Sequence, residues 1–110
     1  PGWFLGIGAG YVRIGWGWMG WTPTQIATWR DALTLTKIPQ LIDAVGAEMS
    51  EPQLKRIPTG FDKDHPQAEH LRRKSLALWV DGTAKGLVDQ MMDHFKAVQP
   101  VHRELTPLLT

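Results

Sequence analysis

The sequence predicts an α+β domain, on three observations. Residues 3–21 are dense in glycine and aromatics, and the apolar runs 3–7 and 11–19 flank Gly8, Ala9 and Gly10 as in a β-hairpin. Residues 75–80 form a second apolar, strand-compatible run, and residues 84–98 carry Leu87, Val88, Met91, Met92, Phe95 and Val98 at helical spacing. The expected architecture is a glycine-rich antiparallel β-hairpin plus one or two further strands, covered on one face by several helices.

In the second arm of the hairpin, Val12, Ile14, Trp16 and Trp18 alternate with Arg13, Gly15 and Gly17. A period of two places the four large side chains on one face, which with Trp3 reads as a core face rather than a stacking platform for sugars or bases. The glycines opposite imply close packing, not a phosphate cradle, because a second strand follows them where a dinucleotide site needs a helix. Thr22, Pro23 and Gln25 then form a helix start: a capping residue, a proline with its φ preset, and a side chain able to reach back. Ile26, Trp29 and Leu33 follow on its inner stripe. Ile38, Leu41, Ile42 and Val45 define a second helix from Pro39, with Gly46 suited to a left-handed end.

The stretch from Glu48 to Pro58, in which Leu54 and Ile57 bracket Lys55 and Arg56, reads as a short edge strand or extended segment ended by Pro58, and residues 59–65 as a loop. Pro66 should open a helix with Ala68 and Leu71 inward, and Glu69, Arg72 and Arg73 outward. Asp81 and Gly82 give a turn signal closing the strand at 75–80, of which Trp79 reads as core. Pro100 is expected to interrupt the last helix, leaving Val101, Leu105 and Leu108 on a kinked continuation. His70, His94 and His102 all fall on polar sides of their helices and read as surface residues.

The chain has 110 residues, room for a single domain (1–110), with 43% hydrophobic and 21% charged residues. No apolar run approaches the ~20 residues of a membrane span, so no membrane partner is expected. A net charge of +1 argues against electrostatic capture of nucleic acid. With no cysteine there is neither a disulfide nor a thiolate metal site, which fits a reducing, cytoplasmic setting. No cofactor is called for.

One stretch concentrates chemistry. Between Leu54 and Pro66 lie two adjacent cations, Lys55 and Arg56, then Asp62, Asp64 and His65, in a loop stiffened by Pro58 and Pro66. Lys55 and Arg56, with Asp62 and His65 orienting, suit an anionic or phosphorylated small ligand. Asp62, Asp64 and His65 are alternatively the ligand types of a metal-dependent hydrolase. A third reading is structural: Asp64 or His65 caps the helix after Pro66, and Asp62 forms a local turn or pairs with a cation. Of the two cations Arg56 is the better internal partner for Asp62 or Asp64, which leaves Lys55 for an external anion.

Leu54-Lys55-Arg56, Pro58, Gly60-Phe61-Asp62 and Asp64-His65-Pro66, followed by Leu71 and Lys74, closely resemble the signature of the bacterial domain of unknown function 2461 family. The hairpin ending in Trp18-Met19 and the helix after Pro23 are also similar to that family's central region. The resemblance spans the whole chain and corresponds to the family's C-terminal half, since the arginine-rich motif of its N-terminal half has no match here. It implies an α+β fold, and on the structural reading the motif would be a rigid corner docking the two halves of the full protein. The expected protein partner is the missing N-terminal half or another copy of the chain. The resemblance implies no particular activity.

Overall fold

A computed structural model describes residues 1–110. Its elements run β1 (Gly2–Gly8), β2 (Tyr11–Trp18), α1 (Pro23–Leu35), α2 (Ile38–Val45), β3 (Glu48–Met49), α3 (Ala68–Leu71), β4 (Leu76–Gly82) and α4 (Leu87–Leu109). The strands form one antiparallel sheet in the order β1-β2-β4-β3, and the helices pack on one face of it.

Alternation along β2 works as the sequence predicts. Val12, Ile14 and Trp16 are buried on the helix side, Trp18 packs at the border of the core, and Tyr11 and Arg13 face out. On the outer face Phe4 lies flat against Gly15, where an added Cβ would come within 2.0 Å of the Phe4 ring. Close packing against the glycine face is thus supplied from within the hairpin. Trp79 faces the same outer side, opposite Gly15, and is half-buried beneath the Arg13 guanidinium at 5.1 Å, so it is not a core residue.

α1 starts on the expected capping box: the Gln25 N–H donates to Thr22 Oγ1 (3.2 Å) and the Thr22 N–H donates to Gln25 Oε1 (2.9 Å). α2 ends at Gly46 with φ 67°. Both helices bury their inner stripes in one core with Trp16, Leu76, Leu78 and the C-terminal part of α4; the Trp21 and Trp29 rings sit 5.0 Å apart within it.

Three boundaries differ from the sequence reading. Within the stretch 48–58 the edge strand is only Glu48–Met49: Met49 pairs with Leu78, the Ser50 N–H donates to the Ala77 carbonyl, and Pro52 lacks the N–H to continue. β4 runs on through Asp81 and Gly82, because they pair with Arg13 and Val12 of β2. The turn comes after them, where the Gln90 amide group accepts from the Thr83 N–H and donates to the carbonyls of Thr83 and Lys85.

α4, finally, is one continuous helix through both Pro100 and Pro107. Its buried stripe is His94, Val98, Val101, Leu105 and Leu109, whereas Val88 and Met92 are exposed. Packing on either side of Pro100 holds the helix, and the carbonyl that proline deprives of its donor belongs to exposed Lys96, where water can serve it.

Candidate functional site

The charged motif is tied, through the Leu54 N–H donating to the Arg72 carbonyl, to the neighbour of a buried residue read from sequence as outward-facing. Arg73, between α3 and β4, is fully buried. Its Nε donates to His70 Nδ1 (3.0 Å), its Nη1 donates to the Ser50 carbonyl, and its Nη2 lies 3.9 Å from Met49 Sδ and 3.8 Å from the exposed Glu69 carboxylate. The expected Glu69 to Arg73 pair is therefore present, but with its cation inside. His70 is buried too. Its carbonyl accepts from Trp29 Nε1 (2.8 Å), so Trp29, His70, Arg73 and Ser50 link α1, α3 and the strand after α2.

Arginine only donates, so His70 Nδ1 must offer a lone pair and the ring is neutral, with its proton on Nε2. Burial, and secondarily the Arg73 charge, hold the His70 pKa below the usual imidazole value, against the weaker opposing pull of Glu69 and Asp43. His94 is likewise buried, not exposed. Its Nε2 faces the Leu78 carbonyl at 3.3 Å, and burial lowers its pKa although that hydrogen bond works the other way. His102, half-buried, accepts from Trp16 Nε1 at 3.1 Å. Each of the three histidines turns inward toward a polar partner: His70 toward the Arg73 guanidinium, His94 toward the Leu78 carbonyl and His102 toward the Trp16 indole N–H.

A pH dependence follows. His70 and His94 bind protons more readily unfolded than folded, so as pH falls below about 6.5 the unfolded chain gains protons first. Stability should decline below that pH, by up to roughly 1.4 kcal/mol per pH unit for each histidine, until the folded groups titrate. Above about pH 7 their contribution should be flat. Urea melts between pH 5 and 8 check this, and His94→Gln should reduce the slope.

The rest of the motif is wound into turns. Asp62 Oδ1 accepts from the Asp64 N–H (2.9 Å) and its carbonyl from the His65 N–H, forming the local turn expected of it. His65 Nδ1 accepts from the Gln67 N–H (3.0 Å). α3 begins only at Ala68 with no side-chain cap, so neither Asp64 nor His65 caps it as expected. Asp62, Asp64 and His65 do not converge, and no group of three such residues in the structure could hold a metal ion. Phe61 and Ile57 pack against the core from this loop, and the Leu54 N–H donates to the Arg72 carbonyl.

Lys55 and Arg56 are both exposed. The expected pairing of Arg56 with Asp62 or Asp64 does not occur: the ion pairs within 4.0 Å are Arg13–Asp81 and Arg73–Glu69. The corner thus presents two unneutralised cations from a backbone fixed on both sides, on open surface rather than in a cleft. Sequence reading placed His70 on the polar side of its helix and continued that helical period past Leu71, which put Arg73 outward as well; in the structure α3 ends at Leu71. Past that end Arg72 is half-buried and Arg73 and Ser75 are buried, and nothing in the local sequence pattern marks Arg73 as inward.

The family model described as "Conserved hypothetical protein (DUF2461)" matches residues 1–108, and the chain belongs to that family. No curated protein and no solved structure matches it. No helix is long and apolar enough to cross a membrane.

Proposed function

We propose that this member of the DUF2461 family is a binding module for an anionic, phosphate-bearing small ligand, contacted by Lys55 and Arg56. The observation that carries the reading is the pairing of two exposed cations, neither with a carboxylate within 4.0 Å, on a segment whose backbone is already fixed. Fixation matters because a preorganised loop loses little entropy on binding. Arg56 supplies a planar fork and Lys55 a point charge, while Asp62 and His65 shape the loop through their main-chain bonds and leave the ligand to the cations. Arg72 and Lys74, brought alongside by the Leu54–Arg72 bond and by the Lys74 N–H donating to Gln53 Oε1 (2.7 Å), add to the positive field.

Inorganic pyrophosphate is the probe. Titrated at low salt, it should shift the amide resonances of Lys55 and Arg56 first, and the Lys55→Ala/Arg56→Ala double variant should bind at least tenfold more weakly with an unchanged melting temperature. Equal affinity in the double variant, or shifts spread evenly over all basic residues, would refute the reading.

A further inference from the structure

Between α4, the C-terminal end of α2 and β4 lies a cavity of about 260 Å³. Gln90, Asp93, His94 and Ala97 are spaced three and four positions apart, so they share one face of α4 and form one wall, while Val45 of α2 and Val80 of β4 contribute the apolar remainder. The volume falls just below the ~300–1,000 Å³ of pockets that take drug-sized molecules, which suits a smaller ligand.

Most polar groups around this cavity are already engaged. Gln90 Oε1 accepts from the Thr83 N–H (2.8 Å), and its Nε2 donates to the Thr83 and Lys85 carbonyls. Asp81, which also borders the cavity, pairs with Arg13 at 3.6 Å. Two groups are left over. Asp93 has no cation within 4.0 Å. His94 is only 3% exposed, and its Nε2 faces the Leu78 carbonyl, which can only accept. Nε2 therefore carries the proton of the neutral ring, and Nδ1 holds a lone pair. No protein group bonds that Nδ1, although it is buried, and such unpaired buried atoms are rare. The Leu78 bond and the edge contact with the Trp3 ring, 6.4 Å between centroids, fix the imidazole, so the lone pair keeps one direction.

We infer that the cavity binds a small primary amine in its ammonium form. The ammonium donates to the Asp93 carboxylate and to His94 Nδ1, and a short apolar stem lies along Val45, Val80 and Ala97. An anion would meet a carboxylate and a lone pair, both repulsive. A divalent metal ion fits less well, because no three carboxylate or imidazole side chains converge. A guanidinium holds its donors in one plane, whereas an ammonium is compact and its three donors diverge, so it can serve a carboxylate and an imidazole together.

n-Butylamine, charged at neutral pH as a lysine side chain is (pKa ~10.4), is the probe. Followed by NMR at neutral pH, it should bind in the millimolar range, as suits so small a ligand, and shift the Val80, Asp93 and His94 amides first. The His94 Nδ1 nitrogen resonance should move from its bare toward its hydrogen-bonded position. 1-Butanol, which has the stem without the charge, and tetramethylammonium, which has the charge without a donor, should each bind at least tenfold more weakly. Asp93→Asn should lose at least tenfold in affinity, and Ala97→Leu should block the cavity and abolish binding. Both positions are exposed, so the melting temperature should hold in each variant. Equal affinity in Asp93→Asn or for tetramethylammonium overturns the inference, as does the absence of saturable binding by the native chain. A His94 Nδ1 resonance that is hydrogen-bonded without the amine and unmoved by it would mark water as its partner, and equally overturn it.

Discussion

Replacing His70 with Leu is expected to lower the stability of the fold by roughly 3–5 kcal/mol, the largest effect among single changes at the corner. The reason lies in what is left behind. Arg73 remains fully buried and charged, keeps its bond to the Ser50 carbonyl, and loses the acceptor for Nε, with only the exposed Glu69 at 3.8 Å as counter-charge. Arg73→Met removes the charge itself and retains most of the stem's packing volume. What it strands are two neutral acceptors, His70 Nδ1 and the Ser50 carbonyl, at a cost of about 2 kcal/mol. The double variant should therefore cost clearly less than the sum of the two single ones. Chemical denaturation of the three variants checks the ordering. If Arg73→Met proves the more damaging, the guanidinium matters for its packing and not for the bond to His70.

The second large effect has the opposite sign. Pro100→Ala should stabilise the protein by about 2 kcal/mol: an interior helical proline costs about 3 kcal/mol relative to alanine, and the flexibility that alanine returns to the unfolded chain takes back up to about 1. Pro100 is exposed and Val98 and Val101 on either side are buried, so the substitution disturbs no packed surface. In a domain of this size that gain corresponds to a rise in melting temperature of roughly 10 °C, readable by calorimetry. No rise would mean that the core requires a bend that the proline imposes.

Pro100 also illustrates how far the sequence could be read. Local signals with few alternatives held: the Thr22 to Gln25 capping box, the Gly46 helix end, the alternation of Val12, Ile14 and Trp16, and the turn at Asp62. Signals that tertiary packing can override did not. Pro100 weakens a helix locally, but Val98, Val101 and Leu105 bury enough surface to carry α4 past it. Asp81 and Gly82 favour a turn in isolation, yet β2 offers them a partner strand.

At the corner, the charged and turn-forming residues were legible because they lie together in sequence. Their organising group was not. Arg73 and His70 belong inside only because Trp29, from 41 positions away, donates to the His70 carbonyl, and because the Ser50 carbonyl waits 23 positions away. Composition and spacing do not report such meetings. The same holds for His94 and His102, polar by type and inward by partner.

On the proposed reading, the buried Arg73 network holds the segment of Lys55 and Arg56 in place through Arg72, whose carbonyl accepts from the Leu54 N–H. The direct measurement is pyrophosphate affinity in Arg73→Met under conditions where the variant is fully folded. Arg73 is buried away from any ligand, but it bonds to the Ser50 carbonyl and His70 Nδ1 next to Arg72, whose carbonyl accepts from the Leu54 N–H. Affinity should fall about tenfold, about 1.4 kcal/mol, with no change in the number of exposed cations. Unchanged affinity in Arg73→Met, or no pyrophosphate binding by the native chain, would contradict it.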